Sequence, residues 1–552
     1  MKTRLAGAGL FVAVFLLYLL TFSSTPVSDA YSWVRTIDTA DFDQMVLAGH
    51  PLPLYVEFTL KRLLTWLRAP VTTLSIIQTV NAVLAAVGTL LFYRLVRLLS
   101  GDTILALLGG TLLATSFGYW YFANGEVHHF GLVLPLAIFL LIVERRRRAG
   151  PAPGFSAMMG VLNAAAIMFH QDAVLFGFSA VAMLLVDRPP REGVRDAAAY
   201  VVGGSVATAV FAAGVGIFIR GLGSTRELFE WYFWPTWASG VAVYEIGGVT
   251  GSVLRSTKAQ LTAVAYGTQV LLDLAREPSV RADGLSLGFA GLTLAAYGIM
   301  VGLLVGLWRA RRLIREHFLV PFTGCVVWLV AYKLFLNSWF QPASTEYHMV
   351  SLPPLLLLLL LGPIATRPPA ASPGVRTLLT GSVTALLVAL FVVNFWAAIL
   401  PWREYGQMKD ALAARFQREF EAGDLFVSNE SGIDTIFIGY GRHVGVKDVL
   451  KQKGKADGFP SLDALIRDKL GRGGRVFLYN FTPNPFTLRR INMVEPSRGT
   501  DPLTPGDFDR FMASLKERYV LVPVASYWEE AKIPLVLYGR RFETIWEIKT
   551  VS

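Results

Sequence analysis

Several side chains here pair acid–base chemistry with positions beside long apolar runs. Asp29 lies in Ser28-Asp29-Ala30-Tyr31, a few residues past the apolar run 5–22, and twenty residues later comes Gly49-His50-Pro51-Leu52-Pro53-Leu54-Tyr55. A carboxylate just outside a membrane segment can meet both lipid-borne and water-borne reactants. The bland alternative is that Asp29 caps a helix starting near Tyr31, a position where Asp is favoured. Glu126, His128 and His129 gather where a later apolar run begins, and acids at such depth are costly enough that they usually face a cavity. His170-Gln171-Asp172 is another polar cluster. Together with Glu126 and Asp29 it could offer oxygen and imidazole ligands to a divalent ion, although the spacing fits no standard metal motif.

The elements that must position these residues are membrane helices. Of the 552 residues, 53% are hydrophobic and only 16% charged, with a mean hydropathy of +0.48; a soluble globule carries roughly 25% charged residues. Apolar runs recur at 5–22, 71–92, 102–118, 128–143, 155–169, 173–186, 198–219, 284–308, 317–337, 348–364 and 377–400, each near the ~20 residues a bilayer needs. The expected fold is therefore a polytopic α-helical membrane protein of about 11 spans, with two further short spans an option in 240–275. Lys2, Arg4, Arg94, Arg97, Arg145 to Arg148, Arg188, Arg191, Arg195, Arg309 to Arg315, Arg367 and Arg376 fall after alternate runs. Basic residues near span ends stay cytoplasmic, so the N-terminus is expected inside, with loops 23–70, 119–127, 170–172, 220–283 and 338–347 outside. The net charge of +11 is absorbed by this topology and by anionic lipid headgroups, and calls for no nucleic acid. The single cysteine, Cys325, lies inside a run and allows no intrachain disulfide.

Within the first outer loop, Tyr31-Ser-Trp-Val-Arg and the stretch 54–67 carry apolar residues at helical spacing beside charges, the pattern of interfacial helices. Trp231, Tyr232, Phe233, Trp234 and Trp237 form an aromatic crowd of the kind found at a membrane surface. Past Trp402 the composition becomes that of a soluble domain. Strand-like runs at 425–428, 475–479, 519–524 and 544–548 alternate with helical patterns at 405–421, 461–470 and 506–517, which predicts a small extracytoplasmic α/β domain over 401–552 after a membrane domain over 1–400. Gly441, Gly454, Gly471, Gly473 and Gly474 read as turns, and no G-x-G-x-x-G follows a strand.

Taken in order, Asp29, the His50-Pro51-Leu52-Pro53-Leu54-Tyr55 segment, Glu126 in Asn124-Gly-Glu-Val-His-His, and Glu346-Tyr-His-Met-Val-Ser-Leu-Pro-Pro-Leu resemble the GT-C superfamily of integral-membrane glycosyltransferases. More narrowly, residues 1–400 are similar to the protein O-mannosyltransferase-like and lipid A aminoarabinose transferase-like branches. The resemblance implies inverting transfer of a sugar from a polyprenyl-phosphate donor to a hydroxyl of a protein, lipid or glycan acceptor, in a bacterial plasma membrane, with Asp29 as the catalytic residue. Many relatives carry two adjacent acids there; this chain has Asp29-Ala30. His50 stands where some relatives place a basic residue, and Tyr347 matches the tyrosine of an Arg-Tyr element whose arginine is here Glu346. The carrier phosphate needs cations or fixed donors, and Arg220 and Lys333, near the outer ends of their runs, are the substitutes, alongside His50 and Tyr347. For Lys333 the competing reading is a snorkelling anchor. Tyr55, Glu126, His128, His170 and Asp172 would then line a pocket for sugar hydroxyls, with a divalent metal as the alternative use of the acids. Two other classes stay open: a transporter or flippase for a lipid-linked saccharide, and an anchored scaffold or receptor. Polar residues collected in outer loops, without paired interrupted helices, disfavour the first.

Overall fold

The computed structural model describes residues 2–24, 30–46, 51–125, 128–148, 152–238, 248–276, 284–338, 345–366, 373–404, 421, 423–428, 442–479, 504–526 and 544–550. The chain divides into two compact units, residues 1–22 with 32–401 and residues 23–31 with 402–552.

The helices begin with α1 (Lys2–Leu20), α2 (Ala30–Thr39), α3 (Phe42–Met45), α4 (Pro53–Trp66), α5 (Thr73–Ser100), α6 (Thr103–Thr115) and α7 (Phe117–Phe122). Next come α8 (His128–Arg148), α9 (Pro153–Phe169), α10 (Ala173–Leu185), α11 (Pro190–Gly214), α12 (Thr225–Ala238), α13 (Gly248–Val264) and α14 (Gly267–Arg276). The series closes with α15 (Gly284–Arg309), α16 (Arg311–His317), α17 (Leu319–Ser338), α18 (Thr345–Met349), α19 (Leu352–Ala365) and α20 (Pro373–Asn394). Single π-helical turns, Val215–Ile219 and Phe395–Ile399, extend α11 and α20.

The apolar runs expected from the sequence are helical over most of their length. Among the described residues six helices are long and apolar enough to cross a membrane: Thr73–Ser100, Pro190–Ile219, Gly284–Arg309, Leu319–Asn337, Tyr347–Ala365 and Thr377–Glu404. Leu5–Leu20, Thr103–Thr115, Pro153–Phe169 and Ala173–Leu185 are apolar but shorter. The protein is thus a helical membrane protein with a small sheet domain. The stretch 240–275 holds two helices, α13 and α14. The run 102–118 is broken at Ser116, whose backbone is extended and whose hydroxyl donates to the Leu112 carbonyl at 2.8 Å. A serine that bonds backward in this way competes with helix continuation.

Local signals explain the helix ends. Thr72 and Ser75 form a reciprocal capping box at the start of α5, and Gly101, at φ +68°, closes it in the left-handed region that glycine tolerates. Asp102 then caps α6, accepting from the Ile104 and Leu105 N–H groups at 2.7 and 3.0 Å. Packing decides the rest. The Leu-rich α19 is buried on all sides and lies against α15, α17 and α6, as a helix without a polar face does at the centre of a bundle. Helices α9 and α11 approach through glycine: a Cβ on Gly160 would lie 2.1 Å from the Tyr200 carbonyl oxygen, and one on Gly203 2.7 Å from that of Ala157. Small residues at such crossings let backbones meet in lipid, where no hydrophobic force separates helix from solvent.

In the second unit β1 (Leu425–Ser428), β2 (Arg442–Gly445), α21 (Val446–Gly471), β3 (Val476–Tyr479), α22 (Pro505–Arg518), β4 (Tyr519–Ser526) and β5 (Thr544–Thr550) follow in sequence. They build one sheet of order β2-β1-β3-β5-β4, in which β1 pairs parallel with β2 and β3 and β5 runs antiparallel to β3 and β4. Leu425, Phe426 and Val427 on β1 and Val476, Phe477 and Leu478 on β3 are all buried, the continuous apolar signature of strands covered on both faces. Arg475 grips Asp424 through two bonds of 3.1 and 2.6 Å where these strands begin. The expected strands are present; β2, only four residues long, carried no sequence signal. Gly454 falls within the range of α21, yet a Cβ on Gly458 would lie 3.4 Å from the Leu450 Cα. Eight residues of straight helix span about 12 Å, so α21 bends sharply between them.

The glycine contacts of α9 are testable. Gly160→Leu forces a side chain into the Tyr200 backbone and should lower stability by about 1–3 kcal/mol or more, read as a fall in thermal midpoint of the purified protein in detergent. Gly288→Leu on α15, where a Cβ meets nothing within 4 Å, should leave that midpoint unchanged.

Candidate functional site

Asn394 ends α20 just before its π turn and is wholly buried. Its Nδ2 donates to the carbonyls of Thr115 at 2.8 Å and Val264 at 3.0 Å, and its Oδ1 accepts the Tyr266 N–H at 2.9 Å. One amide therefore satisfies backbone groups freed at the end of α6, the end of α13 and the start of α14. Those groups have no water to turn to. The corner it fixes carries α7 away from α6 and sets where α13 ends.

Helix α13 is the spine of a polar network at one end of the bundle. Lys333, in the last turns of α17, donates its ammonium to the Ser256 carbonyl at 2.9 Å and the Ser256 hydroxyl at 3.1 Å. One turn along, the Gln260 carbonyl oxygen accepts from the Ser351 hydroxyl at 2.6 Å and lies 3.3 Å from Nδ1 of His348, which is fully buried. The Gln260 amide nitrogen is buried with no hydrogen-bond partner among the described residues. Beside Lys333, Tyr332 donates to the Asp172 carbonyl at 2.8 Å. The Asp172 N–H points to Nδ1 of His170 at 3.3 Å, and its carboxylate lies 3.6 Å from that ring nitrogen. Helix α8 crosses His170 closely enough that a Cβ on Gly131 would sit 2.5 Å from the His170 Cβ. In the same stretch His129 Nε2 lies 3.2 Å from the Tyr119 carbonyl oxygen.

The 21 residues of α8 carry the chain about 30 Å from this network. At the far end, Arg146 donates to the carbonyls of Met183 and Leu184 at 3.0 and 3.2 Å, and Arg147 to that of Leu98. Polar network and arginine cluster occupy opposite ends of the helical unit.

Helices α2, α3 and α4 gather at the polar end. The Leu52 N–H donates to the Met168 carbonyl at 3.1 Å, two residues before His170. Lys61 and Thr73 both bond Asp38, tying α4 and the start of α5 to α2. Phe42 packs on Tyr55 and Phe58 with ring centroids 6.5 and 5.4 Å apart. Between these ties lies Glu57, fully buried, with neither carboxylate oxygen bonded among the described residues. Loss of water alone pushes its carboxyl up to about 8.

Of the residues singled out from sequence, His170, Asp172, Lys333 and Tyr347, beside His348, fall in or next to this network. Tyr55 lies on α4, and Arg220 ends the π turn after α11, its N–H bonded to the Val215 carbonyl at 3.1 Å. Asp29, His50 and Glu126 lie outside the described residues, as do the side chains of His128 and Glu346. Among the described residues no three of His, Cys, Asp or Glu gather to hold a metal ion. Asn394 and Gln260 carried no expectation from the sequence. A lone amide within an apolar run is the signal that could have found Asn394. From sequence Glu57 reads as one charge on an amphipathic surface helix, because helical spacing does not reveal which face is covered.

No protein-family model matches this chain, and no curated protein is significantly similar to it.

Replacing Asn394 by Leu should strand three backbone groups. Hydrogen bonds in membrane interiors average about 0.6 kcal/mol, while a buried orphan costs about 1–3 kcal/mol. These groups sit at fixed helix ends and cannot find new partners, so the larger figure governs and a loss of about 2–4 kcal/mol is expected, measured by thermal unfolding in detergent.

Proposed function

We propose that this protein is a membrane glycosyltransferase that moves a sugar from a polyprenyl-phosphate carrier to an acceptor hydroxyl, with inversion at the anomeric carbon. The observation that supports this most is the clustering of Lys333, Ser256, Gln260, His348, His170 and Asp172 at the end of the helical unit opposite the arginines. With basic residues cytoplasmic, that end would face outward in a bacterial plasma membrane, as the first outer loop would.

The chemistry follows from the residues. Lys333 spends two ammonium hydrogens on Ser256 and keeps a third for an anion. A carrier phosphate there would lie at membrane depth with its sugar toward the polar network, where imidazole, amide and carboxylate groups suit hydroxyls. Asp29 takes the proton of the acceptor hydroxyl as that oxygen attacks the anomeric carbon. The bond from this carbon to the phosphate oxygen breaks, and polyprenyl phosphate leaves with the electron pair. A single displacement of this kind inverts the centre.

Purified protein supplied with polyprenyl-phosphate sugar in detergent should form product without any membrane gradient, which a transporter or flippase would not do. Asp29→Asn should abolish transfer while leaving expression and membrane insertion intact; near-normal turnover would remove Asp29 from the mechanism. Lys333→Met should raise the donor KM about tenfold, the loss of about 1.4 kcal/mol expected of one charge-assisted contact, with acceptor KM unchanged.

A further inference from the structure

Glu57 has no part in the mechanism above, yet it is the most unusual ionisable group outside the spans. It lies on the covered face of α4 with Pro53 and Leu54, and its carboxyl meets no donor among the described residues. The charged groups around it are committed elsewhere or distant. On its own helix Lys61 turns to Asp38 of α2, and Arg62 lies over the Phe58 ring. Helix α5 has no ionisable residue before Tyr93, and α9 has none at all. His170 and Asp172, past the end of α9, are directed at each other, and on α12 Arg226 pairs with Glu230. Arg35, Asp41 and Tyr55, with Glu227 and Tyr232 of α12, are the further ionisable groups described on or beside these elements, while the side chains of Tyr31 and Asp43 lie outside the described residues.

A carboxylate in that position would be a buried charge with no partner among the described residues, and an outward movement of α4 would relieve it. We infer that Glu57 is a protonation-dependent latch: when neutral it lets α4 stay docked against α5 and the end of α9, and on ionising it drives α4 outward. Because α4 follows His50 directly in the chain and is tied through Lys61 and Asp38 to α2, which follows Asp29, opening α4 loosens the whole first outer loop. The consequence for transfer rests on the reading given above; the latch itself does not.

The linkage fixes sign and range. An acid whose carboxyl titrates near 8 when docked, and near 4.3 when free, favours the docked form fully below about 4.3. That preference is lost as pH rises, so opening increases by up to about tenfold per pH unit and levels off above about 8. Backbone hydrogen exchange of the α4 amides in the full chain, relative to Glu57→Gln at each pH, reads this directly, since the intrinsic pH dependence of exchange cancels in the ratio. The ratio of wild-type to variant exchange should climb between pH 5 and 8 and then flatten. Glu57→Met, which carries no polar atoms, should give the same flat profile as Glu57→Gln. A wild-type to variant ratio independent of pH overturns the latch, whatever turnover does. A climbing ratio in a protein that forms no product from polyprenyl-phosphate sugar keeps the latch and removes the transferase reading.

Discussion

In a membrane interior no water is available to satisfy a broken helix end, and this constraint governs the architecture of the helical unit. Asn394 answers it with one side chain: its three bonds close the ends of α6 and α13 and open α14. Without that amide the corner between α6 and α7 and the end of α13 would have to straighten or find other donors. Since α13 carries both Ser256 and Gln260, the polar network depends on the same corner. One buried amide thus determines where the polar groups of α13 can stand.

The network itself shows how a bundle tolerates polar atoms at depth. Lys333, Tyr332, Asp172, Gln260, Ser351 and His348 are joined by side-chain and backbone bonds across α10, α13, α17 and the α18–α19 turn. Such groups are expensive to bury singly and stable when linked. Among the described residues the Gln260 amide nitrogen keeps unused donor capacity and Lys333 bonds only the Ser256 carbonyl and hydroxyl. Glu57 is the opposite case, a polar group with no partner among the described residues in a covered position, and such groups persist where their cost is offset by a function or by a second conformation.

Packing around α19 illustrates a choice that hydropathy leaves open. Its leucines suit lipid as well as protein, yet all but the half-buried Leu355 are covered, whereas Val201, Val202, Val206 and Val210 on α11 and Leu285, Leu287 and Leu294 on α15 are exposed. What separates these helices is the shape and placement of their neighbours. Gly362 of α19 sits where a Cβ would lie 2.8 Å from the Leu307 backbone nitrogen of α15, a close approach that brings α19 inside.

The apolar runs were legible from residue types alone, because membrane insertion reads summed hydrophobicity over about twenty residues. So were the change of composition near Trp402 and most strands of the second unit, because a short β-branched or aromatic run between turns has few other uses. His170, Asp172 and Lys333 were legible as outliers, since a polar residue in or beside an apolar run is rare enough to stand out. Tertiary structure alone decided that Lys333 meets Ser256, that Gln260 joins His348 across 88 positions of chain, that Asn394 pins three helix ends, and that Glu57 is covered. Each of these depends on which face of one helix meets which face of another, and helical periodicity fixes a face without naming its neighbour.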